Sequence, residues 1–67
     1  MEFKLRGEYI ELVKLLKAVG MSATGGEAKM MIEDGLVRVN DEVESRKRRK
    51  IRVGDKVQVG ENTLTIS

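Results

Sequence analysis

The sequence contains no cysteine and no histidine. Without cysteine there is neither a disulfide framework nor a zinc site built on thiolates. Without histidine the commonest general base and the commonest metal ligand are missing, which counts against hydrolase triads and their Cys-His variants. Proline and tryptophan are absent too, and the aromatics amount to one tyrosine and one phenylalanine. No run approaches the roughly 18 apolar residues of a membrane span, and no signal-peptide pattern opens the chain. These absences give the expectation of a cytoplasmic protein with no membrane partner, no cofactor, no metal and no catalytic residue. The 67 residues fit one domain, residues 1–67, with a small core, because a domain of this size buries only about 60% of its unfolded surface.

Charge is plentiful and unevenly placed. The net charge is +2, yet residues 46–56 hold seven cations against one anion, while the other positions hold six cations against ten anions. In "SRKRRKIRVGD" six of the seven residues from Arg46 to Arg52 are basic. A mildly acidic chain with one concentrated basic segment has the electrostatic footprint of a phosphate-binding surface. A solvated loop is the alternative, but such loops usually mix signs, as the rest of this chain does.

The apolar pattern organises the chain into helices and then strands. Phe3 and Leu5 alternate with Lys4 and Arg6 as in a short strand. Ile10, Leu12, Val13, Leu15, Leu16 and Val19 recur at helical spacing, which predicts a helix from about Glu8 to Ala18 with Gly20 as its C-cap. Glu11, Lys14 and Lys17 mark its wet side. Thr24 followed by Glu27 is a capping-box signature for a second helix, whose buried stripe is Ala28, Met31 and Ile32 and which Gly35 ends. Met30 belongs at the edge of that stripe. From there alternation takes over: Val37 and Val39 inward with Arg38 outward, a turn at Asn40-Asp41, a return from Val43, a turn at Gly54-Asp55, "KVQV", a turn at Gly60-Glu61-Asn62, and a last strand with Leu64 and Ile66. If residues 50–53 are extended, Ile51 and Val53 face the core while Lys50 and Arg52 face water. The basic segment is then held in place by its apolar face, with Arg46, Arg48 and Arg49 turned to solvent.

The pieces "LVKLLK" (Leu12 to Lys17), "GGEAKMMIEDGLVRVN" (Gly25 to Asn40), "ESRKRRKI" (Glu44 to Ile51) and "VGDKV" (Val53 to Val57) together resemble the S-four domain, a small RNA-binding fold also called the alpha-L motif. The likeness is strongest to the small stand-alone bacterial members. It implies an α+β fold: two packed N-terminal helices, then a small, mostly antiparallel β-sheet, with the N-terminal strand a candidate to join the C-terminal one. It also implies a non-catalytic RNA-binding protein whose partner is structured RNA, ribosomal or ribosome-associated, with the ribosome or an RNA-modifying enzyme as a further partner. Two positions depart from the family pattern. Glu11, Leu12 and Val13 stand where many members have Arg-Leu-Asp, and Thr24 and Gly25 where many have Ser-Arg. Both departures remove an arginine and shift the burden of contact onto residues 46–52.

The RNA-binding candidates are therefore Arg46, Lys47, Arg48, Arg49, Lys50 and Arg52, with Lys29 and the Gly25-Gly26 helix start as a second contact. The first turn of a helix presents unpaired N–H groups and partial positive charge, and glycine leaves them uncovered. Lys29 lies one turn beyond Gly25 on the same face. The two glycines equally suit a cap or a close helix approach, and Glu27 argues against an anion there. Tyr9 is a base-stacking candidate or a residue packed at the helix start. With so few aromatics, recognition should rest on phosphates and shape, which suits duplex or otherwise structured RNA. The carboxylate pairs Glu33-Asp34 and Asp41-Glu42 flank turns and read as solvated surface. A different function remains open: an adapter whose basic segment docks an acidic protein, or a subunit that positions RNA for a separate modifying enzyme.

Overall fold

In the computed structural model, which describes residues 1–67, helix α1 (Leu12–Ala18) and helix α2 (Gly25–Glu33) stop in the same way. Gly20 and Gly35 follow them in left-handed backbone, at φ +77° and +76°. The Gly20 and Met21 N–H groups donate back to the Lys17 and Leu16 carbonyls, and those of Gly35 and Leu36 to Ile32 and Met31. This pairing satisfies the last carbonyls of each helix, and only glycine takes the required φ without strain. At the other end of α2 the Glu27 N–H donates to Thr24 Oγ1 at 3.1 Å, the forward half of the expected capping box.

The strands are β1 (Glu2–Phe3), β2 (Ile10–Glu11), β3 (Val37–Val39), β4 (Glu42–Val43), β5 (Lys50–Ile51), β6 (Lys56–Val59) and β7 (Asn62–Ile66). Five of them form one sheet in the order β1-β7-β6-β3-β4, in which only β1 and β7 run parallel. Strands β2 and β5 make a separate antiparallel ribbon, pairing Ile10 with Ile51. Asn40 and Asp41, at φ +52° and +72°, close the β3–β4 hairpin as turn residues that tolerate this region. The core is a single cluster: Leu12, Leu15 and Leu16 from α1, Ala28 and Ile32 from α2, Ile51 from β5, and Val37, Val39, Val57, Leu64 and Ile66 from the sheet. Each large aliphatic among them contributes about 1.5–3 kcal/mol through burial.

The α+β class, the packed helices, the mostly antiparallel sheet and the joining of the two terminal strands are as the sequence indicates. Four details differ. Two strands precede the helices, so the order is not helices and then sheet. Helix α1 begins at Leu12, not near Glu8, because Ile10 and Glu11 are drawn into pairing with β5. Val53 is 63% exposed and not in the core. Strand β5 stops at Ile51, and the Arg52 N–H donates to Asp55 Oδ2 at 2.7 Å while Asp55 N–H donates to the Arg52 carbonyl at 3.0 Å. That turn puts Val53 at its outer corner. Met30 is 64% exposed, further out than the edge of the α2 stripe.

Candidate nucleic-acid interface

Residues 46–49 form a tight turn closed by the Arg49 N–H to the Arg46 carbonyl, at 3.2 Å, with Lys47 and Arg48 at its exposed tip. Two of its carbonyls are tied to α1. Leu12 N–H donates to the Arg49 carbonyl at 2.9 Å and Val13 N–H to the Lys47 carbonyl at 3.0 Å. Glu11, at the N-cap position, provides no side-chain cap. The turn thus supplies the acceptors that the first N–H groups of a helix lack. The five consecutive cations are held by backbone bonds to a packed helix on one side and by the buried Ile51 on the other.

A second anchor is Glu44, the acid just ahead of the run, which is only 6% exposed. Its Oε2 accepts from the Arg46 backbone N–H and Nε, and its Oε1 accepts from Arg46 Nη2, each at 3.1 Å, and from Arg49 Nη1 at 2.7 Å. The hydrogen bonds from the Arg46 side chain, reinforced by its backbone N–H and by Arg49, outweigh burial and hold the Glu44 carboxyl down at about 2, against an ordinary 4.5. Arg46 faces water as expected, with its side chain 72% exposed, but is paired to Glu44, whereas Arg49 is half-buried against the same carboxylate and does not simply face water. Lys47, Arg48, Lys50 and Arg52 make no ion pair. Nothing in composition marks Glu44 as an anchor. The available signal was its place two residues before a run of five cations, since a single acid there is well placed to be shared among them.

Beyond the basic strand, Asp55 ties the turn to the β3–β4 hairpin. It accepts from Asn40 Nδ2 at 3.0 Å, and Asn40 Oδ1 accepts from the Lys56 N–H at 2.9 Å. Burial opposes ionisation of Asp55, but the Arg52 N–H, the Asn40 amide and the nearby Arg49 and Arg52 charges together lower its pKa.

The tip and strand line a wide groove with Lys29 and Glu33 of α2, and no hydrophobic residue borders it. All six basic candidates of residues 46–52 and Lys29 meet here. Lys29 leans toward Glu33 at 3.8 Å, an exposed pair of little strength. An adjoining groove shares Lys29, Lys47 and Arg48 and adds Gly25, Gly26 and Lys14. Sequence reasoning placed Lys14 on the wet side of α1 without assigning it to the site; only the fold brings it opposite α2. A Cβ at Gly25 would meet nothing within 4 Å, and one at Gly26 only Thr24 Oγ1 at 3.9 Å. Close helix packing therefore does not explain these glycines, and neither has a positive φ. Their N–H groups find no acceptor in the chain. Glu27 borders neither groove. The N-terminus of α1 is thus plugged by the basic turn, and that of α2 opens into a cationic groove.

Residues 3–67 match the S4 domain, and the chain belongs to that family. It is 40% identical over 58 residues to YbcJ of Escherichia coli (strain K12), an alignment covering 87% of this chain and 83% of YbcJ. It is 40% identical over 52 residues to the "Probable ribosome maturation protein RlbA" of Bacillus subtilis (strain 168), covering 78% of this chain and 73% of RlbA. Its fold superposes on the solution structure of E. coli YbcJ with a TM-score of 0.74 and 38% identity, over 97% of this chain and 84% of that one. That structure is described as an "alfaL motif involved in RNA-binding".

Proposed function

We propose that the chain is a non-catalytic RNA-binding protein that recognises structured RNA, ribosomal or ribosome-associated, by its phosphates and shape. The observation that carries this is the groove in which Lys29, Lys47, Arg48, Lys50 and Arg52 converge together with Arg46 and Arg49, with no hydrophobic residue among those that line it. Small-molecule sites are mostly lined by hydrophobic residues with a few polar groups, whereas this groove is lined by charged residues and Ser45 alone. A line of fixed cations suits a backbone of phosphates, and the open start of α2 adds N–H donors on the same surface. Descriptions of relatives point the same way: an RNA-binding motif for YbcJ and ribosome maturation for RlbA.

The test is competition. A labelled RNA hairpin bound to the protein should be displaced by unlabelled structured RNA at far lower concentration than by an acidic polypeptide of equal charge. Equal displacement by the polypeptide would favour docking of an acidic protein instead. Crosslinking in cells followed by sequencing should recover ribosomal RNA above other transcripts; an even spread would remove the ribosomal assignment.

A further inference from the structure

Tyr9 is the one tyrosine of the chain, and there is no tryptophan. It does not pack at the helix start. Its side chain stands outside the hydrophobic cluster and the residue is 43% exposed, whereas Phe3, the other aromatic, packs against the core. The β2–β5 ribbon explains the position. Ile10 pairs with Ile51, so Tyr9 lies opposite Arg52, and alternation puts Tyr9, Lys50 and Arg52 on the face away from Ile51. Lys50 Nζ stands 5.0 Å and the Arg52 guanidinium carbon 6.0 Å from the ring centre. Both cations also border the basic groove. The one exposed aromatic ring thus sits at the rim of the proposed phosphate track, with two of its cations placed over the ring.

We infer that Tyr9 is a stacking platform for one unpaired nucleobase, whose flanking phosphates are taken by Lys50 and Arg52. The inference rests on the RNA-binding reading and deepens it, because it specifies the ligand: not a blunt duplex but RNA in which an unpaired nucleotide adjoins a helical segment. An aromatic face accepts any base, and a cation held over the ring strengthens it as a platform while meeting the charge of the same nucleotide. Bases within a duplex are already stacked on one another and offer no face to a protein ring. A single ring provides for a single base, which fits a contact to a bulge, loop or strand end rather than to an extended single strand.

The lone tyrosine makes the test direct. Two probes are titrated at the same salt concentration: a hairpin RNA with an unpaired loop, and a blunt RNA duplex matched in length. Tyr9 emission should be quenched by the hairpin and change little with the duplex. Tyr9→Leu should weaken hairpin binding by about fivefold to a hundredfold, as loss of one base–aromatic stack does, and duplex binding by less than about twofold. Tyr9→Phe, which keeps the ring, should restore hairpin affinity, and thermal melting of both variants should show them folded. Because the ring carries no charge, the salt dependence should be the same in all three proteins. Salt-dependent binding that is indifferent to Tyr9→Leu would overturn the stacking site and leave the phosphate reading standing. Equal losses on both probes with a shallower salt dependence would also overturn it, since Tyr9 would then only position Lys50 and Arg52. Failure of the unaltered protein to bind either probe would remove both readings.

Discussion

A buried carboxylate among arginines is costly to isolate and useful when shared. Glu44 loses its water, and the bonds from Arg46 and Arg49 compensate only while it stays ionised. Its depressed pKa is a stability contribution that is complete above pH 4.5 and is lost as pH falls toward 2, where the folded state also takes up the proton. The stabilisation at neutral pH is at most about 3 kcal/mol, lessened by solvent screening at Arg46, whose side chain is 72% exposed. Glu44→Gln should therefore lower stability at pH 7 by up to about that amount and flatten the acid limb of the stability profile, as followed by chemical denaturation across pH 2 to 7. An unchanged acid limb would show that another carboxylate governs it. The same residue shows how sequence reading falls short at this scale. The cations were legible as a run of letters, but their division into anchored (Arg46, Arg49) and free (Lys47, Arg48, Lys50, Arg52) was not. That division depends on Glu44 being buried, which only the packed fold decides.

Among the elements, the legible ones were those whose own residues carry the signal. Thr24, Gly20 and Gly35 fix helix boundaries through local bonds, and Val37, Val39, Val57 and Leu64 announce the inward face of the sheet by alternation. Strand β2 was hidden because Ile10 fits a helical stripe equally well; its pairing with Ile51 is a contact between distant parts of the chain. Alternation past Ile51 was extended one step too far because the Asp55 side chain ends the strand from outside it. The two grooved surfaces make separable predictions. Gly26→Ala adds a methyl in ordinary contact with Thr24 Oγ1 alone in the first turn of α2, so it should raise stability by up to about 1 kcal/mol while weakening RNA binding, if phosphate approaches those N–H groups. Melting temperature and affinity measured together decide it; a gain in both would move the RNA away from α2. Ile51→Ala acts in the other sense. It removes a fully buried side chain that holds the basic strand to the core, and should cost about 2–5 kcal/mol in denaturant unfolding. A loss below about 1 kcal/mol would mean that the strand is held by the Glu44 and α1 bonds alone.

Across the whole molecule, charge is segregated onto one surface of an otherwise slightly acidic protein, and the fold turns a basic stretch of sequence into a groove shared with α2. Such a surface should bind by releasing counterions from the nucleic acid, so affinity must fall with salt. The slope of log K against log salt is about −0.7 per phosphate neutralised on single strands and about −0.9 on a B-form duplex. Lys29, Lys47, Arg48, Lys50 and Arg52 together reach about four to five phosphates, which gives a slope of roughly −3 to −4.5 for a structured RNA. The division of cations then predicts unequal effects of alanine substitution. Arg48→Ala, at the free tip of the turn, should make the slope shallower by about one unit and weaken all RNA sequences alike, with no change in melting temperature. Arg46→Ala should change the slope less, because Glu44 already neutralises part of that charge, yet it should lower the melting temperature by withdrawing two of the donors that hold the buried carboxylate. The Arg46 backbone N–H bond to Glu44 survives in the variant. Titrations of each protein at four or five salt concentrations, paired with thermal melts, separate the two effects. If Arg46→Ala flattened the slope as much as Arg48→Ala and left melting unchanged, Glu44 would not be holding Arg46 in solution, and the turn would present all of its cations to the RNA.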